Sequence, residues 1–570
     1  MKYTTAFQPG RALPLLPLIL MASLVGCEPK ALPANPEARS LAVDGFLPES
    51  RRIDWKPGIS GGIPNYPVGV NVRNAPYNAK GDGVTDDTAA IKQAIAGCPN
   101  GSAVYLPAGT YRLTSQLDIL FKSIVLRGDG PDKTFLKSTS SDQVIAISGE
   151  FGPISSTGLV SGYTKGSTTL TVSSVSGLAV GDYILVSQTN DPSVCENLMG
   201  YQYDVIAQMV KITAVSGNTL TVNRPLYYSY SASFAPKVEE YEMVEKAGVE
   251  DLHIEWLRPS GSAIRLWAAA NCWVKNVESY MAGSAHVTIR VGYGNVVRSS
   301  YFHHGLSYEG GAAYGVFLLG RNTDNLVEDN VFYHLRHAVT IEWGGCGNVV
   351  AYNYANRFYD ESYPGTDWLM ESIHTHGGHP YMNLFEGNVC PNIVFDNALG
   401  SSRHNTAFRN HADRKAQAAV QVNLNTVEVQ MNNLYENVVG NVLCSPGDAG
   451  AYEVVSREAG VYKLGCNQSD CSAPDPRAKA TLLRHGNFDY VTGTTHWDPA
   501  IAGRSLPNSL YLTSKPDYFG NSLYLTSKPD YFGTLPWPMI GPDLSPMVGD
   551  LPAKMRFEGK TVPHAPEELP

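Results

Sequence analysis

Between about Asn271 and Asn441 the apolar residues arrive in short clusters, each bracketed by asparagines five positions apart. The copies read NCWVKN at Asn271, NLVEDN at Asn325, NVVAYN at Asn348, NLFEGN at Asn383, NTAFRN at Asn405 and NNLYEN at Asn432, and NVVRSS at Asn295 closes on Ser300 instead. Their first positions are 24, 30, 23, 35, 22 and 27 residues apart. A short unit at nearly fixed period marks a solenoid. It is too short for two proper helices and fits three short strands and three turns, one coil of a parallel β-helix. The Trp-Asp and leucine-repeat signatures of propellers and leucine-rich repeats are missing.

The residue types follow from stacking. Coil lies on coil at about 4.8 Å, so each side chain meets its equivalents above and below. Asparagine tolerates the left-handed backbone of a bend, and its amide both donates and accepts along the stack. The Val, Leu and Phe between the asparagines fill the bore. The expected class is all-β, with the solenoid core at 231–445 and a fading, Pro-rich tail or cap at 446–570.

The N-terminal part reads differently. Residues 1–26 carry Lys2 and Arg11 ahead of an apolar run too short to span a bilayer, ending in Leu24, Val25, Gly26 and Cys27, which resembles a bacterial lipoprotein signal. That resemblance implies lipidation at Cys27 and an exported protein anchored in the cell envelope, outer-membrane or otherwise secreted, touching membrane only there. Residues 27–67 read as a Pro-rich tether. In GDGVTDDTAAIKQAI, Ala89, Ala90, Ile91, Ala94 and Ile95 share one helical face, and Thr85, Asp86 and Asp87 sit where helix caps belong. Metal ligation by Asp82, Asp86 and Asp87 is the alternative reading.

That helix, followed by VYLPAGTYRL and IVLRGDG, resembles the opening coils of the pectate-lyase-like superfamily, in its rhamnogalacturonase and epimerase-like branch. The resemblance implies a right-handed parallel β-helix whose N-terminal end is capped by the helix, the cap and first coils spanning 68–154. It specifies fold better than substrate. Residues 155–230 alternate apolar and polar around Gly and Asn turns, which predicts a small antiparallel β domain inserted into the solenoid. Its Tyr201, Tyr203, Tyr227, Tyr228 and Tyr230 offer either sugar stacking or plain packing. NSLYLTSKPDYFG occupies 508–520 and again 521–533, a 13-residue tandem duplication.

Composition narrows the partners. With 43 Lys and Arg against 53 Asp and Glu the formal charge is −10, which disfavours nucleic acid and, more weakly, a polyanionic substrate. Beyond Cys27 the chain has eight cysteines, an even number suited to an exported protein, of which Cys466 and Cys471 are the closest pair.

The candidate chemistry lies in the irregular coils. Those of 30 and 35 residues carry inserts at His303–Gly315 and Arg357–Ser372, rich in Tyr, His and acids; insertions at solenoid turns commonly wall the binding face. Tyr308, Tyr359, Tyr363, Trp368 and Arg403 are the expected substrate contacts. Aligning coils backward from each asparagine puts Arg290, Glu342, His376 and Asp396 near one outward stripe, with His286, Arg336, His337 and His374 beside it. A slip of one residue would turn any of them inward.

The stripe admits several chemistries. Glu342 and Asp396, two coils apart, suit the roughly 6.5–9.5 Å carboxyl spacing of an inverting glycosidase. The NTD, DD and GHG motifs of polygalacturonase-like members are not matched: Asn322-Thr323-Asp324 is followed by Arg336-His337, so the NTD reads as a turn. A uronate lyase uses a cation to neutralise the carboxylate plus a base and an acid. Arg290, Arg336 and Arg403, bases among His337, His374 and His376, and the acids Tyr359 or Tyr363 match that need, with a slight lean to the lyase. A C5-epimerase shares the first proton abstraction, and a non-catalytic glycan-binding β-helix remains the further alternative. Calcium is an alternative neutraliser through Asp360, Glu361, Asp367 or Glu371. The sugar is not specified.

Overall fold

The computed structural model describes residues 45–196, 204–256, 258, 261–360, 368–416, 422–468, 470–519 and 535–559. Cys27 with its signal segment, Tyr201, Tyr203, Glu361, Tyr363, Asp367 and the second copy of the duplication lie outside the described residues.

The chain winds into a parallel β-helix with three faces. The first face runs from Val68–Asn71 and Ser102–Tyr105 through strands such as Leu326–Glu328, Val349–Ala351 and Leu384–Glu386 to Leu483–His485. The second face carries, among others, Tyr301–Gly305, Val331–Leu335 and Tyr354–Phe358. The third runs from Leu117–Leu120 through Ala285–Tyr293, His337–Glu342, Ile373–His376 and Asn425–Val429 to Gly460–Leu464. The long strands Gly248–Trp256 and Trp273–Ala282 cross from the first face to the second. Inward residues from all three faces, Val327, Phe332 and Val339 in one coil, form a single continuous core.

Two asparagine ladders flank the first face. Asn295, Asn325, Asn348 and Asn383 each donate backbone N–H and side-chain Nδ2 to Oδ1 of the next member, at 2.8–3.0 Å, ending at Asn405. The second ladder runs Asn330, Asn353, Asn388, Asn410, Asn441, Asn487 with the same pattern. Every rung satisfies buried amides that a turn would otherwise leave unpaired.

The terminal copies of the repeat are out of this register. Cys272 rather than Asn271 pairs with Asn295, and Glu436 rather than Asn432 receives the N–H of Asn405, at 2.7 Å. Asn271 and Asn432 instead take left-handed backbone, with φ of 53° and 67°, the other use of asparagine at a bend.

The helix Thr88–Gly97 buries Ile91, Ala94 and Ile95 on the first coils. Asp86 holds its first turn by accepting from Thr88 N and Oγ1, at 3.1 and 2.5 Å. Asp87 turns back to accept from Lys80 and Gly81 N–H, and Asp82 accepts from Val84 and Thr85 N–H. All three acids serve the backbone.

A closed six-stranded antiparallel barrel is inserted from Ser155–Ser161 to Lys237–Tyr241. Its last strand lies past the 230 boundary read from the sequence. Asn322-Thr323-Asp324 docks it: the buried Asp324 accepts from Tyr227 Oη at 2.8 Å and Arg224 Nε at 3.1 Å, and Met209 N–H donates to Thr323 Oγ1. Tyr227 and Tyr230 are buried, so packing accounts for them.

The outward row of the first face is apolar, from Trp273, Val296 and Leu326 to Phe408 and Val439, and such a row needs cover. The stretch expected to be a tether supplies part of it, with Phe46, Leu47 and Trp55 buried there and Trp55 Nε1 donating to Met382 O at 2.7 Å. Residues 45–67 are therefore a strap. Met539, Ile540 and Leu551 of the C-terminal segment complete the cover, and the helix Pro552–Gly559 closes on the second face with Arg556 on the buried Asp329. Cys466 and Cys471 form a disulfide.

Candidate functional site

The third face carries polar outward residues, Glu342, His374, Asp396, Glu428 and Lys463 among them, where the first carries apolar ones. Its strands bring Glu342 level with His376, and Asp396 follows Phe395, the partner of Thr375, so three members of the expected stripe stand in one outward row. His376 Nδ1 lies 2.7 Å from Asp396 Oδ2, and its Nε2 3.7 Å from Glu342 Oε1. His374, two residues earlier and on the same side, points Nε2 toward Asp396 Oδ2 at 3.8 Å.

His374, His376 and Asp396 floor a cavity of about 250 Å³ that Tyr314, Trp368, Glu371, Glu428, Gln430 and Lys463 also line. His337 packs its ring 4.4 Å from that of His374, and its Nδ1 approaches the backbone oxygen of Glu371 at 2.7 Å. Arg336, at the rim, is held by Asp360 at 2.6 Å and donates to Tyr308 O. Lys463 pairs with Glu428 at 2.9 Å.

Electrostatics separates the titratable groups. Burial opposes charge on His376, but Asp396 and then Glu342 outweigh it and raise the imidazole to about 9. Burial keeps His374 and His337 far below the ordinary histidine value, hence neutral. Glu371 is raised to about 7, by burial first and by the charge of Asp396 second. Glu342 is raised to about 7, chiefly by burial. A protonatable carboxyl beside a hydrogen-bonded carboxylate is the arrangement acid–base catalysis needs.

Several expected residues stand elsewhere. Arg290 is in the outward row but lies opposite Trp267, its guanidinium 4.6 Å from that ring, in a second cavity shared with Tyr241, Arg321 and Trp343. His286 turns inward onto Ser279 and the ring of Phe302. Glu342 is 4% exposed and lies beneath His376 outside the cavity lining, so it positions the imidazole and does not face the groove. The imidazole also fills the space between Glu342 and Asp396 that an attacking water would need.

Arg403 reaches the inserted barrel, donating to Ser193 O at 2.9 Å, and does not line the cavity. Tyr308 and Tyr359 pack around His334 and do not line the cavity. Of the expected aromatic contacts among the described residues, Trp368 alone lines it. Asp360 is buried and engaged by Arg336, which removes it from an oxygen-rich calcium shell. Glu371, expected only as a weak calcium ligand, faces the cavity together with Asp396 and Glu428. Glu428, Gln430 and Lys463 were not anticipated; aligning Asn425–Val429 and Gly460–Leu464 as further coils would have placed them.

Residues 69–168 match the family described as rhamnogalacturonase A/epimerase, pectate lyase-like. A glucan 1,3-beta-glucosidase of Cochliobolus carbonum is 32% identical over 130 residues, which is 20% of this chain and 15% of the glucosidase. Among solved structures, the tailspike protein gp49 from Pseudomonas phage LKA1 is similar at a TM-score of 0.51 and 18% identity, over 68% of this chain and 66% of that one. The tailspike gp61 of Pseudomonas phage phi297 follows at 0.40 and 16%, over 74% and 80%. At 18% identity the likeness to gp49 speaks to fold alone. Residues 69–168 are thus similar to the pectate lyase-like, rhamnogalacturonase A/epimerase family, and the chain is built on a parallel β-helix.

Proposed function

We propose that the protein is a carbohydrate-active enzyme that hydrolyses glycosidic bonds in the third-face groove. The observation that carries this reading is the convergence of Glu371 and the His376–Asp396 pair on one cavity beside Trp368. Glu371, protonated near neutrality, is placed to give its proton to the leaving glycosidic oxygen. Asp396, held through Oδ2 by His376 and through Oδ1 by Ala398 N–H at 3.1 Å, is the carboxylate that orients water on the other side. Trp368 offers an apolar face for a sugar ring. The N-terminal family match and the short match to a glucan glucosidase support a glycan substrate.

The groove disfavours the elimination chemistry toward which the sequence leaned. Removing a proton beside a uronate carboxylate needs a cation to neutralise it. The cations lining this cavity are already committed, Arg336 to Asp360, Lys463 to Glu428 and His376 to Asp396. A neutral or weakly charged glycan fits this balance better.

Incubation with a panel of neutral and acidic polysaccharides tests the reading. New reducing ends without unsaturated uronate support it; the ultraviolet absorbance of an unsaturated product would replace it with the lyase. Binding without cleavage would leave a glycan-binding β-helix. The lipoprotein-like segment ending at Cys27 further supports export and envelope anchoring through a lipid on that cysteine.

A further inference from the structure

We propose that His374, His376 and Asp396 form a binding site for a divalent transition-metal cation of the zinc class, open to the groove. The inference rests on the same cavity as the hydrolytic reading. His374 and His376 alternate on the strand Ile373–His376 and so project from the same side, and the next coil brings Asp396 up beside them. One ligand atom from each lies within 4.8 Å of the others. His376 Nδ1 is 2.7 Å and His374 Nε2 3.8 Å from Asp396 Oδ2. Nitrogen and oxygen ligands about 2.0–2.2 Å from a tetrahedral Zn²⁺ stand roughly 3.3 Å apart, between these two separations.

A second observation concerns His374. The ring is 2% exposed, its Nδ1 has no hydrogen-bond partner among the described residues, and its Nε2 is beyond hydrogen-bond range of Asp396. On the other side of the ring Nε2, aimed at Asp396 Oδ2 but beyond bonding distance and without a hydrogen bond among the described residues, is the nitrogen placed to take a cation. In that state the cation takes the place of the proton shared by His376 and Asp396. Ala398 N–H, donating to Oδ1, holds the carboxylate of Asp396, and Asn433 Nδ2 fixes the backbone oxygen of the same residue.

Two imidazoles and one carboxylate suit zinc, cobalt or iron(II) and not calcium, which collects six to eight oxygens. Three protein ligands leave coordination positions facing the cavity, where a water or a sugar hydroxyl completes the shell.

The test is calorimetric titration of the chelator-treated full chain with Zn²⁺, Co²⁺ and Ca²⁺, with the visible spectrum of the Co²⁺ form as second readout. One tight Zn²⁺ or Co²⁺ per chain, with the intense bands of four- or five-coordinate cobalt and no comparable Ca²⁺ binding, is expected. Loss of outer-shell partners alone weakens metal sites by about 10–100-fold, so His374→Ala and Asp396→Asn should weaken binding at least that much. Absence of binding in the wild-type chain, a six-coordinate all-oxygen spectrum, or unchanged affinity in both folded variants overturns the site. The two readings fail separately: glycan cleavage by protein that binds neither Zn²⁺ nor Co²⁺ removes the metal site and keeps the hydrolase, whereas tight His374-dependent binding with no cleavage of any glycan does the reverse.

Discussion

His376 Nδ1 stands 2.7 Å from Asp396 Oδ2 across adjacent coils of the third face. The contact follows from the stacking itself, because residues one coil apart at the same register point are about 4.8 Å apart at the backbone. Everything chemical in the groove is arranged around this pair: Glu342 beneath it, His374 beside it and Glu371 across the cavity.

Substituting this pair should abolish cleavage without unfolding the rod. We expect Asp396→Asn and His376→Ala each to lower kcat by about 10²–10⁴-fold, the usual worth of a positioned acid or base. Melting temperature should move by a few degrees at most. Steady-state kinetics with a thermal melt on each variant checks this.

Activity should fall as pH rises through about 7, because Glu371 must carry a proton to act as the acid and its carboxyl is raised to about that value. Glu371→Gln should lose most activity toward glycans with poor leaving groups and far less toward aryl glycosides, whose leaving group needs no proton. A pH–rate profile of kcat/KM on both substrates makes the comparison.

The asparagine ladders should carry much of the rod's stability. Asn353 accepts from the N–H and Nδ2 of Asn330 and donates to Val327 O and Asn388 Oδ1, all buried. Asn353→Ala leaves several of these groups unpaired at about 1–3 kcal/mol each, and chemical denaturation should record a loss of at least about 3 kcal/mol.

Glu436 closes the first ladder in place of an asparagine, and burial raises its carboxyl to about 8. The folded state therefore binds this proton more tightly than the unfolded chain. Its contribution is fully present below the unfolded value near 4.3 and is lost as pH climbs to about 8. Glu436→Gln should flatten that part of the stability–pH curve measured by thermal melts.

Much of the fold was legible in the sequence because stacking forces like onto like, and Asn325, Asn348, Asn383 and Asn405 announce the coil directly. The register failed where asparagine has two uses at a bend: Asn271 and Asn432 took the left-handed position and left the ladder to Cys272 and Glu436. In the site, Glu342, His376 and Asp396 were found because they stand at or just past the ends of three successive third-face strands, a short count before the next asparagine turn. Glu371 and Trp368 end the insert of a 35-residue coil, which gives no register, so their place in the cavity depended on tertiary structure. Arg290 was in the right row yet committed to Trp267, and Phe46 and Trp55 looked like tether because the apolar row that they cover is spread over many coils.

The most direct measurement is product analysis after incubating wild-type, Asp396→Asn and Glu371→Gln proteins with a panel of neutral and uronate-containing polysaccharides. The account predicts new reducing ends from a glycan with the wild-type protein, no unsaturated uronate, and loss of that activity in both variants. Unsaturated products, or cleavage undiminished in both variants, would contradict it.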